Sequence, residues 1–280
     1  YIMLYFDHSA TTPLRSEVKE LMQSINDNNY GIYVESIYSS MPGPVITTNS
    51  IENNSNQGIG FQGVDNITIT GNTIRGNSSQ GIYGSDCYYC NEESAITITE
   101  NLVEDNQSHG IEVQNIYNAD ISNNVVRDNN NYAVELYNIQ NSTVSHNTID
   151  SNSSYGMYIQ YGDNSKVMHN IITGNDNYGV RIRYWDGGVD FSYNNVWDNN
   201  SNNNFYTSDD SPPELGNMIT TNANGTDCDT YNNISENPLF VNPPINVDDL
   251  NFGYEVNFED STVHYELLVP SDWGWWNEPY

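Results

Sequence analysis

The sequence predicts an all-β fold, a parallel β-helix preceded by a short capping helix. Three observations carry this prediction. Asparagines recur at nearly constant spacing, each repeat contains three short apolar segments that alternate with period two, and residues 25–200 show no helical periodicity. Strands this short are unstable alone, but coils stacked on one another share a narrow core and parallel sheets.

The asparagine columns define the repeat. One column recurs at intervals of 23, 29, 23, 23, 23 and 24 residues: Asn54, Asn77, Asn106, Asn129, Asn152, Asn175 and Asn199. An inner column lies five residues earlier: Asn49, Asn72, Asn101, Asn124, Asn147, Asn170 and Asn194. Asn tolerates left-handed backbone geometry at tight corners, and its amide can bond the equivalent Asn of the next coil. Both columns are therefore interpreted as structural ladders.

Each unit contains three strand signals. The first strand follows a small residue, Gly or Ala133, which indicates a backbone requirement. Its alternating apolar pairs are Ile32/Val34, Ile59/Phe61, Ile111/Val113, Val134/Leu136, Met157/Ile159 and Val180/Ile182. The second strand precedes the inner Asn and the third follows it. Charges three residues after the inner Asn alternate in sign and predict an ion-pair ladder, worth about 0–1 kcal/mol for each exposed pair: Glu52, Arg75, Glu104, Arg127 and Asp150.

The chain divides into four parts. Residues 1–24 form an N-terminal segment, residues 25–200 the β-helix repeats, residues 201–241 an irregular last coil, and residues 242–280 a C-terminal tail or cap. Within the first part, Thr12 is a good N-cap and Pro13 suits the first helical position. An apolar stripe follows at helical spacing, so we expect a short helix that caps the first coil.

The composition excludes several classes of protein. The 280 residues include 37 Asp and Glu against 7 Lys and Arg, which gives a formal net charge of −30. Neutralising phosphates requires Lys and Arg, so a nucleic-acid binder is excluded. The sequence has no run of about 20 apolar residues, so no membrane-spanning helix is expected. The apolar residues 1–6 are too short for a signal-peptide core, and no signal peptide is predicted in this chain.

The repeat resembles the right-handed parallel β-helix of pectate-lyase-like, carbohydrate-active proteins over about residues 26–241. The segment Asn237-Pro238-Leu239-Phe240-Val241 is similar to the closing motif of that group. The resemblance implies a right-handed β-helix of about 7–8 coils. It also implies an extracellular or cell-surface protein whose partner is a polysaccharide or cell-surface glycan.

A second resemblance concerns the N-terminus. Residues 5–22, which begin Tyr5-Phe6-Asp7-His8-Ser9-Ala10-Thr11-Thr12, are similar to the amino terminus of cysteine desulfurases. That family requires a lysine that forms a Schiff base with pyridoxal phosphate. The lysines of this chain are Lys19 and Lys166, and Lys166 falls inside a repeat. Desulfurase activity is therefore not expected, and neither is a pyridoxal phosphate cofactor.

The outward residues of the first strand are the candidates for chemistry. Glu112 and Glu135 occupy equivalent positions in consecutive coils and are expected about 5 Å apart, the carboxylate separation of a retaining glycosidase. Arg181 stands further along the same column, and the resemblance implies a lyase base at Arg181 or Arg183. The candidate catalytic residues are thus Glu112, Glu135 and Arg181. Candidate substrate-binding residues are Tyr83, Tyr137, Tyr158, Arg183, Tyr184 and Trp185.

Asp163 and Asp186 follow the first strand in consecutive coils and are candidate ligands for calcium, which prefers oxygen donors. A second stacked pair, His146 and His169, precedes the inner Asn of consecutive coils. It offers two imidazole nitrogens as ligands to a transition metal, and a third ligand is not evident in the sequence. The ordinary alternative is a solvated surface, both for this histidine pair and for the outward glutamates and tyrosines of the first strand.

Three functional hypotheses remain open. The first is a monomeric β-helix that binds carbohydrate along the first-strand face. The second is a polysaccharide lyase or glycoside hydrolase, for which a groove walled by insertions at residues 38–44 and 86–93 is expected. The third is a structural stalk or adhesin, for which a flat face is expected.

Overall fold

The computed structural model describes residues 25–26, 30–37, 43–64, 66–86, 95–185, 187–208 and 210–240, and they form a parallel β-helix of about seven coils. Each complete coil contributes one strand to each of three parallel sheets, named A, B and C here. The predicted capping helix, the desulfurase-like segment and residues 242–280 lie outside the described residues. Within the described part, no helix is long and apolar enough to cross a membrane.

The sheets are built from the three predicted strands. Sheet B holds the first strands: Ile32–Ile37, Ile59–Val64, Ile82–Ser85, Ile111–Tyr117, Val134–Gln140, Met157–Asp163, Val180–Arg183 and Phe205–Tyr206. Sheet C holds the second strands: Val45–Thr47, Asn66–Thr70, Ala95–Thr99, Ala119–Ser122, Thr143–Ser145, Ser165–Met168 and Val189–Ser192. Sheet A holds the third strands: Ile25–Asn26, Ser50–Glu52, Thr73–Arg75, Leu102–Glu104, Val125–Arg127, Thr148–Asp150, Ile171–Thr173 and Asn195–Trp197. A short antiparallel pair, Thr220–Thr221 with Asp227–Cys228, follows the last coil.

The core is a single apolar column enclosed by the three sheets. Its members are mostly Ile and Val that alternate with outward side chains, as the period-two pattern predicts. Ile111 and Val113 of sheet B, for example, are fully buried, as are Ile121 of sheet C and Val126 of sheet A. Each coil therefore buries only a few side chains, which explains how a chain with 36% hydrophobic residues folds.

Both predicted asparagine ladders are present. In each column, the backbone N–H and the side-chain Nδ2 of one Asn donate to Oδ1 of the Asn in the next coil. For Asn129 and Asn152 both distances are 3.0 Å. The ladders also run further than the spacing predicts, because Asn199 donates to Asn204 and Asn194 donates to Asn233. Asn204 follows Asn199 by 5 residues, and Asn233 follows Asn194 by 39 residues. A search for a constant interval therefore does not find them.

The small residue before the first strand is required for space. A Cβ atom on Gly110 would lie 2.3 Å from Cγ1 of Val126 and 2.7 Å from the carbonyl oxygen of Ala133. Ala133 occupies the equivalent position of the next coil, so the corner accepts at most a methyl group there. The sequence predicts that the backbone needs a small residue at this position. The reason is that neighbouring coils approach one another closely there.

The alternating charges form two ion pairs among the described residues. Arg75 pairs with Glu52 at 3.1 Å, and Arg127 pairs with Glu104 at 2.8 Å. The second pair is not the exposed pair that the sequence predicts, because only 1% of the Glu104 side chain is accessible. Burial raises the pKa of Glu104, against the opposing effect of Arg127.

Candidate functional site

The outward side chains of sheet B form columns in the predicted register. Glu112 pairs with Glu135 across adjacent strands. Tyr83 precedes this pair by one coil, and Tyr158 and then Arg181 follow it. The sequence therefore gives the correct order and neighbours of this column. The column ends at Tyr206, which pairs with Arg181 and comes from the irregular last coil.

The two carboxylates converge on an imidazole that the sequence analysis did not select. Nε2 of His109 lies 3.1 Å from Oε2 of Glu135 and 3.6 Å from Oε2 of Glu112. One donor atom from each residue lies within 4.8 Å of the other two. His109 directly precedes Gly110. The backbone N–H of Gly81 donates to the carbonyl oxygen of His109, and that of Gly110 donates to the carbonyl oxygen of Tyr132, both at 3.0 Å. These two bonds fix the corner between coils. The corner thus directs the imidazole back over the outer face of sheet B.

Two glutamines hold Glu112 in place. Nε2 of Gln80 donates to Oε2 of Glu112 at 2.6 Å, and Nε2 of Gln114 donates to Oε1. Glu112 is almost fully buried, with 6% of the residue exposed. Both of its oxygens therefore have fixed directions, as expected of a carboxylate that takes part in binding or chemistry.

Tyrosine rings continue from His109 along the same face. Tyr132 stacks on His109 with an interplanar angle of 2° and centroids 4.9 Å apart. Tyr132 also contacts Tyr155 and Tyr158, at 5.2 and 5.1 Å between centroids. Burial raises the pKa of Tyr132, and the neighbouring Glu135 raises it further. Tyr132 is thus held as a neutral phenol beside the two carboxylates.

Arg181 lies among tyrosines. Its guanidinium carbon is 4.4 Å from the ring centroid of Tyr206, 5.4 Å from that of Tyr158 and 5.8 Å from that of Tyr155. Nη1 donates to the hydroxyl of Tyr155 at 3.2 Å, and the buried Nε has no hydrogen-bond partner. These contacts desolvate the charge and hold it two coils away from Glu135.

A more exposed aromatic platform lies beside this column. Tyr161 and Tyr184 stack with centroids 4.6 Å apart and an interplanar angle of 6°, and about 40% of each residue is accessible. Arg183 covers the ring of Tyr184 at 4.6 Å. Its Nη atoms reach the hydroxyls of Tyr184 and Tyr158 at 2.8 and 3.4 Å. Tyr137 meets Tyr161 edge to face.

Two predicted features, the calcium pair and the insertions, are only partly covered by the described residues. Asp163 is exposed at the end of its strand and pairs in register with Gln140. Its expected calcium partner, Asp186, lies outside the described residues, as do most residues of the predicted insertions at 38–44 and 86–93. Trp185 packs against the core and donates from Nε1 to the carbonyl oxygen of Val189 at 3.2 Å.

Sequence reasoning missed the column that precedes the first strand. This column supplies side chains to the site from four consecutive coils: His109, Tyr132, Tyr155 and Tyr178. The signal is in the sequence, since each residue directly precedes the Gly or Ala of its repeat. It was missed because only positions after the small residue alternate predictably, whereas side chains before it depend on the corner backbone.

The comparisons with known proteins agree with this architecture. The family model described as "Right handed beta helix region" matches residues 15–115 and 84–242. No curated protein matches the chain. Among solved structures, a double mutant of the periplasmic alginate epimerase AlgG is similar, with 18% identity and a TM-score of 0.55. The match covers 64% of this chain and 45% of that chain.

Two further solved structures are similar. The periplasmic alginate epimerase AlgG itself matches at 18% identity and a TM-score of 0.50, over 64% of this chain and 45% of that chain. The A-module of the Azotobacter vinelandii mannuronan C-5 epimerase AlgE4 matches at 19% identity and a TM-score of 0.49. That match covers 64% of this chain and 51% of the module. The chain thus spans about half the length of each, and the likeness to the two AlgG structures shows the fold.

Proposed function

The chain belongs to the right-handed β-helix family, and from this premise we propose that the outer face of its sheet B binds an extended polysaccharide. The observation that carries the proposal is the continuous line of aromatic rings and one guanidinium that runs from His109 through Tyr132, Tyr155 and Arg181 to Tyr206, with the exposed rings of Tyr161 and Tyr184 beside it. Adjacent strands lie about 4.8 Å apart, so the five coils of this line span about 19 Å. That length suits several consecutive sugar units.

The platform of Tyr161 and Tyr184 is the most direct part of this binding face. Stacked, half-exposed rings offer flat apolar surface to the face of a sugar ring, while Arg183 and the tyrosine hydroxyls offer hydrogen bonds. Tyr83 and Tyr137 extend the face along the neighbouring columns. Tyr158, predicted to bind substrate, is buried instead, with 6% of the residue exposed, and its hydroxyl accepts from Arg183. The charge of −30 favours neutral glycans in general. Arg181 and Arg183 are its local exception and could accept an acidic sugar.

A glycan-binding experiment tests this proposal. The purified chain is screened against neutral and acidic polysaccharides, including alginate, and the affinity of any ligand is measured by calorimetry. We expect Tyr161→Ala and Tyr184→Ala each to weaken binding about tenfold, or about 1.4 kcal/mol. Tyr193→Ala is the matched control, because Tyr193 is 42% exposed like Tyr161 but follows a strand of sheet C. No binding of any glycan, or equal losses in all three variants, would contradict the proposal.

The second candidate is a polysaccharide-modifying enzyme, favoured by the convergence of His109, Glu112 and Glu135. An imidazole and two carboxylates on a glycan-binding face are the groups needed for general acid and base catalysis. The separation of less than 4.8 Å between one oxygen of each carboxylate is close to that of a retaining glycosidase. The similar solved structures are named as epimerases, so epimerisation of a uronate polymer joins lyase and hydrolase activity among the reactions to test.

Turnover assays separate binding from catalysis. Polysaccharides are incubated with the protein, with and without Ca²⁺, and reducing ends, unsaturated products and sugar epimers are measured. Under the enzyme hypothesis, we expect Glu112→Gln and Glu135→Gln each to reduce turnover at least about a hundredfold. Asp163→Asn removes any dependence on Ca²⁺ if this aspartate is a ligand. Turnover unchanged in both glutamine variants would exclude these carboxylates.

The remaining properties follow as parts of the same proposal. A glycan-binding β-helix is expected outside the cytoplasm, in the periplasm or at the cell surface, and as a monomer. If no glycan binds, the hypothesis of a structural stalk or adhesin becomes the better explanation of the fold.

A further inference from the structure

We propose that His109, Glu112 and Glu135 form a binding site for a divalent transition-metal ion. The site supplies one imidazole nitrogen and two carboxylate oxygens from two adjacent coils. An imidazole in the donor set favours Zn²⁺ and similar ions over Ca²⁺, which prefers an all-oxygen site. The inference is independent of glycan binding, because it concerns the protein without any carbohydrate.

The distances among the donor atoms suit such an ion. Two ligands that each lie about 2.1 Å from a tetrahedral zinc ion are about 3.4 Å apart. Nε2 of His109 lies 3.1 Å from Oε2 of Glu135 and 3.6 Å from Oε2 of Glu112, on either side of that value. The two carboxylates approach one another within 4.8 Å, and a small rotation of the Glu135 side chain would close this edge of the triangle while Glu112 stays held by its two glutamines.

The charges around the site also favour a cation. The side chains of Glu112 and Glu135 are only 7% and 15% accessible, and both are carboxylates. In the part of the chain that the structure describes, their ion-pair partner is His109, which is charged only when protonated. The nearest guanidinium of the column, Arg181, lies two coils from Glu135 and is held by tyrosines. A divalent cation would neutralise both carboxylates, with which no Arg or Lys forms an ion pair among the described residues.

The surrounding residues hold the three donors in position. Tyr132 stacks on the imidazole and fixes its plane, while Gln80 and Gln114 hold the two oxygens of Glu112. Such supporting contacts are typical of metal sites, where they set ligand orientation. Three protein ligands leave coordination positions open toward the outer face of sheet B. The ion would therefore be accessible to a ligand that lies on this face.

Zinc binding by the metal-free protein tests the proposal. The untagged protein is stripped with a chelator and titrated with Zn²⁺ by calorimetry, and with Co²⁺ to follow its visible absorption. We expect one ion per chain from this site, and at least about tenfold weaker binding in His109→Gln and Glu135→Gln. Gln80→Ala should weaken binding to a smaller degree. Far-UV circular dichroism confirms that each variant is folded.

The neighbouring histidines that follow two strands of sheet C provide the matched control. A double variant, His146→Asn with His169→Asn, removes two imidazoles whose ring centroids lie 5.1 Å apart and whose planes are inclined by 45°. We expect it to bind Zn²⁺ at the proposed site with unchanged affinity. The proposal is overturned if the folded wild type binds no stoichiometric Zn²⁺, if binding survives in His109→Gln, or if the control variant loses it. Because no glycan is present, failure of the glycan proposal leaves these outcomes unaffected.

Discussion

Arg75 and Arg127 show how burial decides the importance of one ion pair. They occupy equivalent positions two coils apart, and each pairs with a glutamate of the preceding coil. Arg75 is 32% accessible and its partner Glu52 is 18% accessible, whereas Arg127 and Glu104 are 12% and 1% accessible. The sequence predicts the same alternating ladder at both positions. It could not distinguish them, because the accessibility of a glutamate depends on how the neighbouring coils cover it.

Arg127→Met should therefore destabilise the protein strongly. The variant leaves the carboxylate of Glu104 buried without its cation, which typically costs about 3–5 kcal/mol. Arg75→Met is the control and should cost about 0–1 kcal/mol, because its pair is partly exposed. Urea unfolding measures both free energies of unfolding. Equal effects of the two substitutions would show that the buried pair is not specially important.

The histidines His146 and His169 should make stability depend on pH. Burial lowers the pKa of both; at His146 the carboxylate of Asp120 opposes this, and at His169 the charge of His146 adds to it. The ring of Tyr193 packs against His169, with 5.8 Å between the centroids. The unfolded chain, with a histidine pKa of about 6.5, then binds more protons than the folded chain at mildly acidic pH. The free energy of unfolding therefore falls as the pH drops below about 6.5 and levels off below the lowered pKa values.

Replacement of both histidines by Asn tests this dependence. Both positions have positive φ, and Asn123 occupies the equivalent position one coil earlier, so Asn fits the backbone. We expect the wild type to lose more stability than the double variant between about pH 7.5 and about pH 5.5. Carboxylates titrate in both proteins and cancel in the comparison. Parallel pH profiles for the two proteins would refute the assignment.

At the scale of the elements, the asparagine columns join one corner to the next. Asn129 accepts from the backbone and side chain of Asn106, and its own amide donates to Asn152 and to the carbonyls of Val103 and Arg127. Each side chain thus satisfies buried polar groups of its own coil and of both neighbours. A coil corner is therefore stable only as part of the stack.

Asn129→Ala should be far more costly than Asn130→Ala. The first substitution leaves buried groups of Asn106 and Val103 without partners, at about 1–3 kcal/mol for each unpaired group. Asn130 is the control because it is exposed, and its side chain makes a bond to Gln107 at the surface. Thermal and urea unfolding of both variants measure the difference. A loss below about 1 kcal/mol for Asn129→Ala would mean that water replaces the ladder contacts.

The elements also show how much of the site the sequence determines. Alternation along the first strand correctly brings Glu112 beside Glu135 and places Tyr158 before Arg181, since parallel register preserves the order of equivalent positions. The imidazole of His109 and the ring of Tyr132 come from corners instead. Tyr206 reaches the column from a last coil without the regular spacing. Side-chain directions in corners follow from backbone geometry that no period-two rule supplies.

At the scale of the whole molecule, the fold is close to a one-dimensional repeat. Asn129, Asn152 and Asn175 recur at 23 residues, and each sheet repeats its register from coil to coil in this region. Each coil contacts mainly its two neighbours, so stability is approximately a sum over coils and the interfaces between them. An internal coil should then be removable without disturbing the rest.

Deletion of residues 152–174 tests this expectation. It joins Ser151 to Asn175, which then takes the place of Asn152 in the ladder. It also places Val180 of sheet B beside Val134, so apolar residues again meet apolar residues. We expect a folded protein with unchanged strand signal in circular dichroism and a lower melting temperature, since one coil interface is lost. In this variant Arg181 becomes the direct neighbour of Glu135 in the column.

Deletion of residues 152–163 is the control, because it removes part of a coil, shifts every later strand out of register and should prevent folding. If both deletions unfold the protein to the same degree, the coils are not interchangeable units and the additive description of this β-helix is wrong.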